Sequence, residues 1–385
     1  MKMLLKQLVL FSFGIACLVT VSAEIEKLDS SMRIVEYTDG NIKWVDAASL
    51  KLEGKGWLET ATPYSRLPLK FKSKVRPAVW TLSTHSAGIA VHFTASGTRF
   101  INARWKLGND VYMSHMTPVG ANGLDLYVKL NDKWQWLGIG KPSKSSQNKT
   151  VIKSKIPANK KFEYLLYLPL YNSVNKLELG FSPSAKIAPV KECGKPLVVY
   201  GTSIVQGCSA SRPGMAWPAI LGRRLDLPVI NLGFSGNGKM DVEFGDIIGE
   251  IPASAYLIDC LPNMGKPQDI YERTVFLVKK LRMKQPDTPI ILIEDRTHTH
   301  PDLTGNKSKW YQPRRDAFKK AYTQLIKDKI NKLSYIKGED LIGNDNESTI
   351  DGSHPTDLGM MRYCEKIEPV VREAIYKYNN SKSTK

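Results

Sequence analysis

The chain has 385 residues, is 42% hydrophobic and 24% charged, and carries a formal net charge of +18. This length suggests two domains, the apolar content is enough for real cores, and no low-complexity tract signals extended disorder. Beyond the first two dozen residues no apolar run is long enough to span a bilayer. The positive charge is spread over both halves, with no RNA-binding aromatic motif and no zinc-finger spacing. A basic soluble surface is therefore expected rather than a nucleic-acid partner.

The N-terminus reads as an export leader. Lys2 and Lys6 supply the positive region, residues 8–21 an apolar stretch, and Val21-Ser22-Ala23 a small-residue cleavage site. Residues 1–23 are therefore set apart from the fold, and the mature protein is expected in the periplasm or outside the cell. Cys17 follows Gly14-Ile15-Ala16. That triplet lacks the usual leading Leu, so lipid anchoring at Cys17 is the weaker reading. Cys193, Cys208, Cys260 and Cys364 remain. They are sparse and contain no C-x-x-C, so buried free thiols are expected in preference to a disulfide framework.

Residues 24–185 read as an all-β domain. Short β-branched or alternating runs fall at 32–36, 88–93, 99–105, 124–130, 134–139, 162–168 and 177–181, separated by turn-forming residues. Their spacing predicts a sandwich or jelly roll, and no amphipathic helix stands out among them. Residues 183–196 carry three prolines and read as a linker. From 186 to 385 strands alternate with helices. Strands are expected at 197–200, 229–232, 255–259, 289–293 and 333–336, and helices at 213–225, 268–283, 315–332 and 357–377. This pattern predicts a parallel sheet with helices on both faces and a site at the carboxyl ends of its strands.

Four local motifs fall at such ends. Gly201-Thr202-Ser203 follows an apolar strand and places a hydroxyl at the mouth of the sheet. Asn231-Leu-Gly233-Phe-Ser-Gly236 follows the next strand, and its glycines permit backbone N–H groups to approach a ligand closely. Asn263 follows the third strand, where its amide can donate to an oxyanion. Asp351-Gly-Ser-His354-Pro355 lies near the C-terminus. Its spacing brings a carboxylate and an imidazole onto one turn, with Pro355 expected to open the following helix. Each motif alone is compatible with an ordinary turn or helix cap. Their joint order along successive, adjacent strands is the signal.

In that order the chain resembles the SGNH (GDSL-like) hydrolase superfamily. The resemblance implies a flavodoxin-like α/β/α domain, with Ser203 as nucleophile and His354 and Asp351 as its partners. It also implies an oxyanion hole formed by the N–H groups of Ser203 and Gly236 and the Asn263 amide. Upstream, Gly123-Leu124-Asp125-Leu126-Tyr127 resembles the G-x-D-L-Y motif of an N-terminal β-sandwich found in one branch of these esterases. Asp125 and Tyr127 share one face of their strand, which favours a structural or inter-domain role. Thr202 departs from the family's usual Asp, and Leu261-Pro262 and Met264 replace the residues common around the block III Asn.

The function this implies is acyl-ester hydrolysis, with O-deacetylation of a carbohydrate as the expected reaction and no cofactor or metal. Acyl transfer to an alcohol would use the same residues, and a glycan-binding protein on an idle hydrolase fold is the alternative of another class. His298 and His300 have the i, i+2 spacing of metal ligands but no evident third ligand, so a loop at the cleft rim is expected there. His85, His92 and His115 are expected to be structural, and Trp217 to be core. The expected partner is an acylated small molecule or polysaccharide.

Overall fold

The computed structural model describes residues 35–143, 145–191, 194–300, 303 and 307–383. The expected leader, with Cys17, and Cys193 lie outside the described residues.

The first half is a sandwich of two antiparallel sheets. Its strands are β1 (Glu36–Asp39), β2 (Ile42–Asp46), β3 (Lys51–Glu53), β4 (Ala90–Ser96), β5 (Phe100–Leu107), β6 (Leu124–Leu130), β7 (Lys133–Gly140), β8 (Gln147–Ser154), β9 (Phe162–Tyr167), β10 (Val174–Phe181) and β11 (Lys186–Pro189). One sheet runs β1-β2-β10-β5-β8; the other runs β11-β4-β9-β6-β7, with β3 paired to β4. Strand alternation builds the core between them: Leu124, Leu126 and Val128 of β6 meet Phe93, Ile101, Leu166 and Leu179.

The sandwich departs from the sequence expectations in several places: β2, β3 and β8 fall outside the expected runs, and of the run expected at 32–36, residues 32–34 lie outside the described residues while β1 starts at Glu36. β8, with the sequence QNKTVIKS, carries no apolar alternation because it is the outer strand of its sheet and largely solvated. Residues 186–189 of the expected linker form β11, paired antiparallel to β4. Two helices also occur in this half, α1 (Pro77–Ser83) and α2 (Pro118–Asn122). Each starts on a proline suited to a first helical position and is too short to show a 3.6-residue period.

The second half contains α3 (Ser203–Gln206), α4 (Trp217–Leu225), α5 (Phe244–Ile248), α6 (Pro267–Lys284), α7 (Gln312–Lys327) and α8 (Asp357–Ser383). They surround a parallel sheet of β12 (Leu197–Gly201), β13 (Val229–Gly233), β14 (Ala255–Asp259), β15 (Ile290–Ile293) and β16 (Leu333–Ile336). The strand order is β13-β12-β14-β15-β16. β12 and β14 are buried along their whole length, as central strands covered on both faces must be. One face holds Trp217, Ile220, Tyr363 and Ile367, so Trp217 is core as expected. The other holds Phe244, Leu277 and Phe318, together with Leu67, Phe71, Val75 and Val79 from the first half of the chain. Each of those four burials is worth about 1.5–3 kcal/mol. Cys208, Cys260 and Cys364 are buried and free. Among the described residues no helix is long and apolar enough to cross a membrane.

The two halves meet along the outer face of β6. Asp125 is fully buried, and its carboxylate accepts from Arg212 (2.8 Å), the Gly214 N–H (2.8 Å) and Trp136 Nε1 (3.0 Å). Arg212 also donates to the Tyr127 hydroxyl at 2.5 Å, and the Arg223 guanidinium lies 3.9 Å from the Tyr127 ring centre. The G-x-D-L-Y motif is thus an inter-domain clasp, on the face expected for it.

Nearby, His92 bridges Glu53 (2.5 Å) and Glu163 (2.8 Å) beside a cavity of about 50 Å³ that Lys129, Trp134 and Asp226 also line. Burial lowers the His92 pKa, but the two carboxylates outweigh it and raise the value above that of a free histidine. Their stabilisation is fully present below the unfolded pKa and is lost as pH rises through the folded one. His92→Gln should therefore lower Tm markedly at about pH 6, with the gap narrowing toward about pH 9. Paired thermal melts across that range would detect it, and a gap independent of pH would refute it.

Candidate active site

Register aligns the site. Gly201 at the end of β12 pairs with Gly233 of β13 and with Asp259 of β14. The segments that leave these three adjacent ends carry Ser203, Gly236 and Asn263.

Thr202 caps α3, its side chain accepting from the Ile204 N–H at 3.3 Å, so Thr in place of Asp still serves as the cap. Ser203 is then the first residue of the helix, where an N–H has no intrahelical partner. Its Oγ lies 3.0 Å from His354 Nε2. His354 Nδ1 lies 2.7 Å from Asp351 Oδ2. Asp351 Oδ1 accepts from the N–H groups of Ser353 (2.9 Å) and His354 (2.7 Å), which closes the turn. Burial alone would raise the Asp351 carboxyl; hydrogen bonds from the His354 ring and the two N–H groups bring it down to about 2. Asp351 is therefore an anion at any working pH. It fixes the tautomer in which His354 Nε2 can take a proton from Ser203.

The turn is itself held. The buried Arg296, just beyond β15, donates to the Ser353 carbonyl and hydroxyl at 2.6–3.0 Å. The Thr299 N–H reaches the Gly352 carbonyl at 3.2 Å. Pro355 does not open α8, contrary to expectation. It sits in a bridge with Thr349, and α8 starts at Asp357 after Thr356, whose carbonyl accepts from Met360.

The glycine loop has its own logic. Gly236 adopts φ +67°, and a side chain there would meet only open space, so backbone conformation selects glycine. Gly238 packs so that a Cβ would lie 1.9 Å from the Gly201 carbonyl oxygen, so close approach selects it. In the orientation its hydrogen bonding dictates, the Asn263 amide oxygen accepts from the N–H groups of Asn237 (3.0 Å) and Gly238 (3.2 Å). That leaves the amide N–H₂ to donate elsewhere. Asn231 braces the loop from within, through Val205 (2.7 Å) and Gly233 (2.9 Å).

Several residues that shape the site are absent from the sequence expectations. Arg66 is buried, and its guanidinium donates to the carbonyls of Gly233 (2.6 Å), Asn231 (3.1 Å), His85 (3.0 Å) and Leu82 (2.6 Å). Gln206 accepts from the Ser235 N–H at 3.0 Å and donates to the Leu170 carbonyl at 3.0 Å. Arg76 grips Asn237 and Asp241. His115, expected to be a structural residue of the β domain, stands with its ring 5.7 Å from that of His354. No local pattern marks it, because its neighbour comes from the far end of the chain. His298 packs on Tyr311 (4.6 Å), and burial first, then the Arg296 charge, lowers its pKa to about 4. An open cleft of about 580 Å³ lies beside the turn, bordered by Met116, Ser211, Ile350, Thr356 and Leu358.

Fold and site together define an α/β protein of hydrolase type with an attached β-sandwich. Residues 194–372 match the GDSL-like lipase/acylhydrolase family, and residues 42–187 match the GxDLY N-terminus of SGNH-hydrolase-type esterases. The structure of a GDSL-like lipase from Bacteroides ovatus shares 37% identity, covers 87% of this chain and 98% of its own, and has a TM-score of 0.83. The chain belongs to the SGNH (GDSL-like) hydrolase family, in the branch with the GxDLY domain. The fold alone is also shared with the salicylyl-acyltransferase SsfX3 of a tetracycline biosynthetic pathway, at 18% identity, TM-score 0.70 and coverage of 87% and 95%. The same holds for a family two carbohydrate esterase from Clostridium thermocellum solved with cellohexaose, at 14% identity, TM-score 0.54 and coverage of 74% and 92%. Among curated proteins none matches this chain.

Proposed function

We propose that this protein is an exported serine esterase that removes acetyl groups from a carbohydrate, with Ser203, His354 and Asp351 as its catalytic residues. The observation that carries the reading is the hydrogen-bonded chain Ser203–His354–Asp351 at the mouth of the sheet. His354 takes the Ser203 proton as Oγ attacks the ester carbonyl, and Asp351 stabilises the imidazolium that forms. The N–H groups of Ser203 and Gly236 and the Asn263 amide receive the developing oxyanion. His354 then returns the proton to the departing alcohol, and water repeats the sequence to free the acid.

The family supports ester hydrolysis, and the carbohydrate reading draws on the Clostridium thermocellum esterase of the same fold. It also draws on Trp310, which is 46% exposed and backed by Arg314 at 4.8 Å. A methyl group on Gly265, two residues beyond Asn263, would touch its ring. Such a ring offers a flat apolar face to a sugar. Export rests on the leader expected at residues 1–23.

The test is release of acetate from acetylated polysaccharides, set against hydrolysis of p-nitrophenyl acetate and its longer acyl homologues. Turnover that falls with acyl length and extends to the polysaccharide supports the reading. Transfer of the acyl group to an added alcohol in preference to water would make the protein an acyltransferase. No turnover on any of them would leave a glycan-binding role. Asn263→Ala should reduce kcat by about 10²–10³ with little change in KM, as expected for a donor that acts in the transition state. Steady-state kinetics on p-nitrophenyl acetate would measure the split.

A further inference from the structure

Among the described residues, two histidines and a cysteine converge as metal ligands do. One ligand atom from each of His115, Cys208 and His354 lies within 4.8 Å of the other two. The three come from separate parts of the fold: the loop before α2, the turn after α3, and the turn before α8.

Two imidazoles and a thiolate form a donor set suited to Zn²⁺, which takes three protein ligands and keeps a fourth position open. In tetrahedral zinc the ligand atoms sit about 3.5 Å apart, so a spread of up to 4.8 Å needs a contraction of up to about 1.3 Å. His115 can supply it. It lies on a loop, and its ring packs tilted against that of His354. Cys208 is a buried free thiol that sits against Tyr171, Met116 and Ala216 in the apolar seam between the two halves. His354 Nδ1 is committed to Asp351, so Nε2 is the nitrogen left to a metal.

We propose that His115, Cys208 and His354 form a zinc site that switches the esterase off. Zn²⁺ bonds to Cys208 Sγ, whose proton leaves to solvent, and to one nitrogen of each imidazole. The His354 Nε2 lone pair that would accept the Ser203 proton is then held by the metal. No redox step is involved, and removal of the metal restores the base. A thiolate selects zinc over Mg²⁺ and Ca²⁺, which prefer oxygen donors. The shut-off rests on the proposed catalytic role of His354; the binding of zinc does not.

The experiment has two arms. In the first, p-nitrophenyl acetate hydrolysis by the EDTA-treated full-length protein is titrated with ZnCl₂, MgCl₂ and CaCl₂. The expected result is a loss of at least about 10-fold near 10 µM Zn²⁺, reversed by EDTA, with no response to the other ions. Cys208→Ser and Cys208→Ala should keep the metal-free rate and lose the inhibition. His115→Ala, compared with its own metal-free rate, should lose it too. In the second arm, calorimetry of Zn²⁺ binding to Ser203→Ala should give one site, which Cys208→Ser in the same background abolishes. Undiminished inhibition of both Cys208 variants, or a binding heat unchanged by Cys208→Ser, would overturn the proposal. If the protein proves to have no esterase activity, the proposed function fails, and the calorimetric arm still decides the site.

Discussion

Ser203→Ala is expected to abolish esterase turnover, lowering kcat by on the order of 10⁴-fold or more while leaving the fold intact. The Oγ that would attack the carbonyl is lost, but the backbone of α3 and its Thr202 cap do not depend on it. His354→Ala should cost a similar factor, since a serine hydroxyl without its base is a weak nucleophile. The Ser203→Ala/His354→Ala double variant should be no worse than either single one, because the two act as a unit. Rates on p-nitrophenyl acetate, with near-ultraviolet circular dichroism as the folding control, would test this. A Ser203→Ala variant with a tenth or more of the wild-type rate would sink the assignment, and multiplied losses in the double variant would show that the two residues act independently.

The second large effect is on stability. Asp125→Ala should destabilise the protein by about 3–5 kcal/mol, because it removes the buried carboxylate that pairs with Arg212 and leaves the buried Gly214 N–H without its partner. Burial raises the Asp125 pKa, and Arg212 with the Gly214 N–H pulls against that rise. Asp125→Asn retains the shape and some of the hydrogen bonding and should cost less. Denaturant midpoints for Asp125→Ala, Arg212→Ala and the pair would form a cycle. The double variant should lose less than the sum of the singles, since each single loss includes an unpaired partner left behind. Strict additivity would mean that the ion pair contributes nothing of its own.

The parallel sheet was legible because its strands are continuous apolar runs bounded by turn residues, and the five runs lie where the sequence pointed. Ser203, Gly236, Asn263, Asp351 and His354 were legible for a related reason. Each follows a strand end or closes its own turn, so local sequence carries it to the rim. What held these pieces in place was not legible. The Arg66 guanidinium donates to backbone carbonyls of α1, the turn after it and β13, and a carbonyl leaves no trace in the residue type that bears it. His115 gained its place from a tertiary approach rather than from its neighbours. α1 spans seven residues, too few for periodicity to declare it. β8 sits at a solvated sheet edge, where alternation is not required.

The seam between the halves bears on how such a protein can be inherited. Leu67, Phe71, Val75 and Val79 fill a face of the parallel sheet although they precede most of the sandwich strands in the chain, and Arg66 and Arg76 tie down the loop beyond β13. A break in the connector near residue 190 would leave the C-terminal half with a bare apolar face and an unsupported glycine loop. Recombination that exchanged one half for a foreign partner would remove part of the other's core. The C-terminal half is therefore expected to keep its core only with this partner attached, so the two halves should be exchangeable together rather than singly.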